Sequence, residues 1–406
     1  MSPPRLLAGV EAGRSLSLDE HLAEHGPCPP GGPGLIDAVA RAGLQGRGGA
    51  SFAAAVKLRS VANRRGPRSL LVNAAEGDPM SAKDRVLLAS APHLVIDGAG
   101  AAAAAVGAGS IVIALPEDAA AARRALAHAL EERGAQRQVS VAGVPVAYLA
   151  GEESALIAHL DGRALKPTVA PPRPAERGLR RRPTLVQNPE TLAHVALIAR
   201  HGPAWFRQAG THDHPGSALV TVSGAVRLPG VLEIPCGAPL GSVLSATGGE
   251  LEPLRAVLVG GCHGVWIAGD EIERVTLDDV GLAPHGGNLG AGVVVALGQS
   301  ACPARELVLA VAYLAEQSAG QCGPCRNGLP ALAQLLTAAV GGRALPGAQL
   351  QLERWSRDLP GRGACHLPDG TVRLLRSGMR VFARELAAHE RGPCAACHRA
   401  PTLALQ

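Results

Sequence analysis

The sequence predicts an α/β sandwich, then a small β-rich module, then a helical region that carries cysteines. Three observations carry that expectation. Hydrophobic residues make up 47% of the 406 positions and aromatics only 2%, so a large core must be built mainly from Ala, Val and Leu. Helical and strand-like periodicities alternate through the first half. From Ser217 the pattern changes to short alternating strands, and beyond Pro303 to apolar-faced helices. A chain this long exceeds one ordinary core. The expected divisions are an N-terminal lead over 1–34, the α/β domain over 35–212, the β module over 213–300, the helical region over 301–390 and a Cys-containing tail over 391–406.

After the Pro/Gly-rich GPCPPGGPG, a helix is expected from Leu35 to Ala42, then the loop GLQGRGGAS and a helix ending near Arg65. SLLVNAAE, Ser69 to Glu76, reads as a strand that runs out into a loop. From Gly98 to Leu115 the chain carries no charge and approaches membrane-spanning length. Its first half is Ala and Gly, which partition weakly into lipid, and its second half is β-branched, so a buried helix, a turn and a buried strand are expected. The G-x-G-x-x-A from Gly98 to Ala103 is a pattern that an Ala/Gly tract produces by chance, and it is not read as a dinucleotide fingerprint. A strand, VPVAYLAG, is expected to end at Gly151. Residues 161–184, rich in Pro and Arg, read as an ordered loop because helical periodicity resumes at once in PETLAHVALIAR. SALVTVSGAVRLPGVLEIP alternates like strands, with turns at Ser-Gly and Pro-Gly; RELVLAVAYLAEQ and GLPALAQLLTAAV are helical.

Composition also excludes partners. The formal net charge of +5 is small for this length and no basic block is interleaved with aromatics, so nucleic acid is not expected; the run RGLRRR, Arg177 to Arg182, reads as a solvated loop. MSPPRLLAGVEAG lacks the apolar stretch of a signal peptide, so a reducing cytoplasm and nine unpaired cysteines are expected, with no direct membrane insertion.

Chemistry concentrates in a few stretches. The loop Gly46-Arg47-Gly48-Gly49-Ala50-Ser51 precedes a helix, so bare backbone can approach a phosphate or a flat ring. Asn73 and Glu76 sit where a strand runs out, the usual place for ligand-binding groups in an α/β domain. Glu152 and Glu153 follow the next strand, either as ligand acids or as the favourable first turn of a helix. QCGPCRNG places Cys322 and Cys325 beside a Gly-Pro turn.

GLQGRGGASFAAAVKL, LVNAAEGDPMSAKDR with PHLVIDGA, YLAGEESAL, PTLVQNPETLAHV with HGPAWFRQAG, SGAVRLPGVLEIP and QCGPCRNG together resemble one family. It is the NADH-oxidising flavoprotein subunit of respiratory complex I, with its relatives in soluble hydrogenases and formate dehydrogenases. The stretches keep the family's order and cover about residues 35 to 385. The resemblance implies an α/β FMN-binding sandwich, a small β-grasp module of the SLBB, ubiquitin-like kind, and a C-terminal helical bundle holding a [4Fe–4S] cluster. It implies hydride transfer from NAD(P)H to FMN and single electrons passed to iron–sulfur centres, with quinone or ferredoxin as eventual acceptor. The implied partners are iron–sulfur acceptor proteins or a larger redox complex, on the inner face of a membrane if that complex is membrane-bound. Carried over by position, FMN falls to Gly46, Arg47, Gly48, Gly49, Lys57, Asn73, Glu76, Gly151, Glu152, Gln187, Asn188 and Thr191, and NADH to Phe52, Lys57, Asp78 and Glu153.

Departures from the family pattern matter as much. Ala75 stands where an acid is expected and Gln187 where an Asn is expected; Ser60 and Arg173 replace two aromatics that sandwich the dinucleotide adenine. An aromatic stack contributes about 1–3 kcal/mol in other base-binding sites, and Arg173 offers a guanidinium for stacking or for a 2′-phosphate, which raises NADPH as a hypothesis beside NADH. The cluster pattern expects C-x-x-C-x-x-C and a fourth cysteine about forty residues on. Cys322, Cys325 and Cys365 fit, but Ala319 occupies the first place, leaving the fourth ligand open among His366, Cys302, Cys394 and Cys397. The tail motif CAACH, Cys394 to His398, matches a c-type haem attachment pattern and has a cluster or zinc role as an alternative; an unstructured tail is the expectation. His212 and His214 read as loop residues, and Cys28, Cys236 and Cys262 as small buried side chains. Two other readings stay open: a flavin and cluster subunit served by ferredoxin, and a non-catalytic scaffold presenting its SLBB-like module.

Overall fold

A computed structural model describes residues 3–11, 13–134, 139–343 and 346–405. The chain divides into two compact units: one comprises Met1–Gly77, Ser81–Val220 and Val231–Gly237, the other Asp78–Met80, Thr221–Gly230 and Ala238–Gln406.

The first unit is built on four parallel strands in the order β3-β2-β1-β4: β1 (Arg68–Asn73), β2 (Ala108–Pro116), β3 (Val139–Val144) and β4 (Thr184–Gln187). Around them run α1 (Leu18–His25), α2 (Pro33–Ala42), α3 (Ala54–Ala62), α4 (Lys83–Ser90), α5 (Pro92–Val106), α6 (Ala120–Glu132), α7 (Glu153–Leu160), the short α8 (Pro174–Arg177) and α9 (Pro189–Phe206). Successive strand residues feed opposite faces: Leu70 and Val72 enter a large core with helices α2, α3, α5 and α9, and Leu71 enters a smaller one with Leu156 and Ile157 of α7. Strands buried on both faces need continuous apolar runs, which SLLV and IVIAL supply.

The charge-free stretch forms the expected helix, turn and strand, with Gly107 as a left-handed cap between α5 and β2 (φ 67°). The G-x-G-x-x-A lies inside α5 rather than at a strand-to-helix turn. Gly98 is there for packing: a Cβ on it would lie 1.8 Å from the Leu192 carbonyl oxygen of α9. Among the described residues no single helix is long and apolar enough to cross a membrane, and the apolar pair α4 and α5 is bent by 97°.

One expectation needs correction here. VPVAYLAG is not a strand: β3 ends at Val144 and Tyr148–Gly151 forms a 3-10 turn. Pro145 has no N–H to continue the ladder, so pairing stops before it. Unforeseen rather than contradicted is a helix in the lead, α1, whose start is fixed by a capping box in which Ser17 and Glu20 satisfy each other's backbone N–H groups.

The second unit carries the sheet β6-β5-β9-β7-β8, from β5 (Ser217–Gly224), β6 (Gly230–Pro235), β7 (Leu254–Val259), β8 (Val265–Ala268) and β9 (Val293–Gly298); the first half of β5 and most of β6 are counted with the first unit. Strands β5 and β9 are parallel, while β7 is antiparallel to β8 and β9. The helices are α10 (Leu240–Ala246), α11 (Asp279–Leu282), α12 (Pro303–Glu316), α13 (Leu329–Val340), α14 (Ala348–Asp358), α15 (Leu367–Val381) and α16 (Ala383–His389). The β module and the helical region meet through particular side chains. Trp266 of β8 meets Phe382 edge to face at 5.0 Å, and its backbone N–H donates to Ser377 Oγ at 3.1 Å.

Candidate functional site

Strands β1 and β4 lie side by side, with Val72 paired to Gln187, so their carboxyl ends open together at Asn73 and Asn188. In an open parallel sheet that edge is where a ligand crevice forms. Asn73 Nδ2 donates to the Gly151 carbonyl at 2.8 Å and Asn73 Oδ1 accepts the Ala75 N–H at 3.3 Å, tying the strand end to the 3-10 turn. Gly77 completes the tie by its lack of a side chain, since a Cβ would lie 2.3 Å from the Tyr148 carbonyl oxygen.

The glycine-rich loop closes on itself through Gly46 N–H to the Phe52 carbonyl at 2.9 Å, and turns through left-handed Gly49 (φ 107°) and Ser51 (φ 47°). Its backbone is drawn against the start of α9. The Arg47 N–H donates to Thr191 Oγ1 at 2.9 Å, and a Cβ on Gly48 would lie 3.3 Å from Asn188 Cβ. The Arg47 side chain runs inward instead, with Nη2 3.2 Å from Cys236 Sγ and Nε 3.9 Å from Glu190. Phe52 stands 45% exposed.

Three of the expected polar groups are held as helix caps. Glu152 accepts from Ala155 N–H and from Ser154 Oγ, each at 2.7 Å, at the start of α7. Asn188 accepts from Glu190 N–H at 2.9 Å at the start of α9 and donates to Asp84 Oδ2 at 2.5 Å. Glu76, at φ 42°, accepts from Ser81 Oγ at 2.8 Å, Asp84 N–H at 2.9 Å and Arg85 N–H at 3.1 Å at the start of α4. Burial, followed by the Asp84 charge, pushes the Glu76 carboxyl above its ordinary range. The alternatives for Glu152 and Glu153 thus resolve differently: the first caps α7, and the second, in its first turn, meets Lys57 Nζ at 2.8 Å. Lys57 and Glu153 are 34% and 37% exposed, so their pairing adds little to stability and both groups remain open to a ligand.

Beneath these caps lies a cluster that sequence spacing did not reveal. Lys83 reaches Asp84 at 2.8 Å and Glu190 at 2.7 Å in a fully buried setting. Burial opposes its charge, but the two carboxylates hold the Lys83 ammonium above its ordinary value. Of the two residues that replace aromatics, Ser60 donates from Oγ to the Lys57 carbonyl at 2.9 Å within its own helix, and Arg173 begins the short α8.

Asp78 belongs to the second unit. It accepts from Cys262 N–H at 2.6 Å and from Met80 N–H at 3.1 Å, and a Cβ on Gly261 would lie 2.1 Å from its Oδ2. Burial pushes its carboxyl above the usual range.

The expected metal thiols also fall in this unit. Cys325 lies on a π-helical turn, Pro324–Gly328, a distortion common at functional sites. Burial, then the Cys322 thiol and the charges of Cys322 and Cys365, push Cys325 up to about 12. Burial acts on Cys322 the same way, but hydrogen bonds from Ala364 and Cys325 hold it below its ordinary value. The four candidates for a further ligand part company. Exposed His366 pairs with Asp369 at 3.1 Å, whereas Cys302, Cys394 and Cys397 gather around His389. An unstructured tail is therefore also corrected: it folds back, through a turn at Ala395–His398, onto the start of α12. His389 was missed, although a His shortly before a C-x-x-C in HERGPCAAC was the signal.

A glycine cradle with carboxamides and an ammonium at the carboxyl edge of a parallel sheet, and gathered thiols in a second unit, agree with the flavin and iron–sulfur subunit that the sequence resemblance implies. Residues 39–197 match the family described as the Nuo51 FMN-binding domain, and residues 307–389 the NADH-ubiquinone oxidoreductase-F iron–sulfur binding region. F-subunit 2 of the NADH-quinone oxidoreductase of Rhizobium meliloti is 33% identical over 402 residues, covering 95% of this chain and 94% of its own. The corresponding F-subunit of Streptomyces coelicolor is 32% identical, covering 88% and 83%. A NAD+-reducing [NiFe]-hydrogenase in its air-oxidized state superposes with a TM-score of 0.86 at 30% identity over 99% of this chain and 69% of the hydrogenase chain. In its H2-reduced state the TM-score is 0.79 at 32% identity over 88% of this chain, which spans 62% of that hydrogenase chain. The chain belongs to the family of NADH-quinone oxidoreductase F-subunits.

Proposed function

We propose that this chain is the FMN-dependent NAD(P)H-oxidising subunit of an electron-transfer complex, taking hydride in its first unit and passing electrons to iron–sulfur centres. The observation that carries the reading is the convergence at one sheet edge of the Gly46–Gly49 backbone, Asn73, the Glu152 and Asn188 caps, Thr191 and the Lys57–Glu153 pair. These groups suit FMN: bare backbone leaves room for a flat ring, and the start of α9 with the nearby ammonium suits an anion. When bound, FMN converts two-electron hydride chemistry into single-electron transfers. The chain's own part is positional. Helix-start contacts hold Glu76, Glu152 and Asn188 in place, Gly151 is tied to Asn73 and Gln187 ends β4 beside it, and Lys57, Glu153 and exposed Phe52 receive the nicotinamide nucleotide. The hydrogen bonds of Asp78 favour a bracing part within the second unit over nucleotide contact.

In the second unit, Cys322, Cys325 and Cys365 would hold the cluster as thiolates, and the cluster would supply one-electron transfer there. The five-stranded sheet with α10 takes the role of the β-grasp, SLBB-like module, and α12 to α16 that of the helical bundle. The domain divisions over 35–212, 213–300 and 301–390 follow from that reading, as does a peripheral place on a complex at the inner face of a membrane. NADH is the donor that this reading takes first, and the guanidinium of Arg173 makes NADPH the alternative to be tested beside it.

Anaerobic purification with iron supply, an absorption spectrum and addition of each nicotinamide test the proposal. Flavin bands that bleach with NADH or NADPH beside a broad iron–sulfur shoulder are expected, and NADPH no better than NADH would reject the NADPH alternative. A flavin indifferent to both nicotinamides refutes the donor assignment, and one that bleaches with a ferredoxin system alone replaces it.

A further inference from the structure

A second group of metal-ligating side chains lies apart from the proposed cluster thiols. Cys302 caps the start of α12, His389 ends α16, and Cys394 and Cys397 lie in the tail beyond it. Their ligand atoms all lie within 4.8 Å of one another. His389 Nε2 is 3.4 Å from Cys302 Sγ and 3.3 Å from Cys397 Sγ. Cys397 Sγ is 3.4 Å from Cys302 Sγ and 3.8 Å from Cys394 Sγ.

Those separations discriminate between kinds of metal. A cubane puts each thiolate on a different iron and spreads the sulfurs around the whole cluster. One tetrahedral zinc, with bonds of about 2.3 Å to sulfur and about 2.0–2.1 Å to nitrogen, sets its ligands about 3.5–3.8 Å apart. The four separations given above, 3.3–3.8 Å, and the common limit of 4.8 Å suit the second. Three thiolates and one imidazole in a tetrahedron also select zinc over the metals that prefer oxygen or planar nitrogen donors.

The support around the ligands has the same character. His389 Nδ1 lies 2.6 Å from the Glu385 carbonyl, to which it donates, so Nε2 keeps its lone pair toward the sulfurs. The Arg305 N–H donates to Cys302 Sγ at 3.4 Å. Beyond Cys397 the tail stays attached: Arg305 donates to the Arg399 carbonyl, and buried Glu306 accepts from Thr402 N–H at 2.8 Å and Leu403 N–H at 3.1 Å.

We propose that Cys302, His389, Cys394 and Cys397 bind one structural zinc ion that fastens the tail to α12, independently of the iron–sulfur site. All four tetrahedral positions are filled by protein, so the ion is closed to substrate, and zinc carries no electrons. This clamp depends on neither flavin nor nicotinamide.

The test is metal analysis of the full-length chain, purified anaerobically from medium holding both iron and zinc, together with C397S, H389A and C322S. The wild type is expected to hold one zinc per chain beside its iron. C397S and H389A should lose most of that zinc and keep their iron, and become open to trypsin at Arg391 and Arg399. C322S should lose iron and keep zinc. Should the variants fail to fold, wild-type chain produced with cobalt in place of zinc is expected to show the intense visible bands of tetrahedral cobalt thiolate. Zinc well below one per chain in the wild type, iron rather than zinc lost with Cys397, zinc lost with Cys322, or cobalt protein without those bands would each overturn the proposal.

Discussion

Gly98 and Gly100 lie in the same helix, α5, yet replacing each with Ala should move stability in opposite directions. At Gly100 a Cβ meets nothing within 4 Å, so Ala gains the helix propensity that Gly lacks, about 0.8–1 kcal/mol. At Gly98 the new Cβ would lie 1.8 Å from the Leu192 carbonyl oxygen and 2.4 Å from its carbon. That obstacle is backbone, which cannot rotate away, so α5 and α9 must part. Overpacking of this kind costs about 1–3 kcal/mol, and the upper end applies to a rigid contact. With the propensity gain set against it, the net loss is about 2 kcal/mol. For a unit of this size, that is a fall in melting temperature of roughly 4–8 °C for G98A against a rise of roughly 2–4 °C for G100A. Thermal unfolding of the two variants beside wild type reads both signs in one experiment. Both folded variants should retain flavin equally, because Gly98 acts as a helix contact. A neutral or stabilised G98A, or one that stays folded yet sheds flavin, would refute the reasoning.

Restoring a thiol at A319C should raise iron and acid-labile sulfide per chain and strengthen the absorption shoulder; unchanged iron content would show that position 319 does not face the cluster. At Asn188, Ser keeps the cap of α9 whereas Ala loses it at a cost of about 1–2 kcal/mol, so N188S should melt between wild type and N188A. N188D restores the cap but sets a second carboxylate against Asp84, 2.5 Å from the present amide nitrogen, and should fail to rescue; a full rescue by Asp would remove the proposed role of that contact. Burial, followed for His25 by the His21 charge and for His93 by that of Arg133, lowers both histidines to about 4. Above the unfolded value of about 6.5 neither state is protonated, so stability is flat there. As pH falls from about 6.5 toward 4 the unfolded chain takes up protons first, and each histidine removes up to about 1.4 kcal/mol per pH unit. Below that window Asp97 adds to the loss, since His21, Arg133 and Arg200 hold its carboxyl far below the ordinary range against the push of burial. A melting temperature unchanged between pH 7 and 5 would contradict this.

Local patterns carried much of this molecule. The loop from Gly46, the strand leading to Asn73 and the turn between α5 and β2 depend on neighbours in sequence, and each was legible from periodicity and turn residues. Pro145 was equally legible as a strand stop, but the apolar run around it outweighed that signal, and the 3-10 turn that braces Asn73 went unseen. Ser17 and Glu20 spelled a capping box that the surrounding Pro and Gly obscured. The buried contact of Lys83 with Glu190, and the part-buried one of Cys302 with Cys397, join residues 107 and 95 positions apart. No spacing rule reaches across such distances, because what brings these groups together is the packing of whole helices. The family resemblance named the crevice residues but not their present duties, several of which are helix capping.

The position of Asp78 bears on any attempt to dissect this protein. Residues 78–80 are inserted in the middle of the first unit's sequence but counted with the second, where Asp78 serves the Cys262 backbone 184 positions later. A fragment begun at Thr221 would contain every proposed metal ligand and still lack the acceptor for a buried N–H. One cut therefore cannot yield the metal-bearing half as a free-standing piece. An electrode-mounted or hybrid version would need the 78–80 segment supplied in trans or grafted by permutation, and the gene is better shuffled whole than in halves.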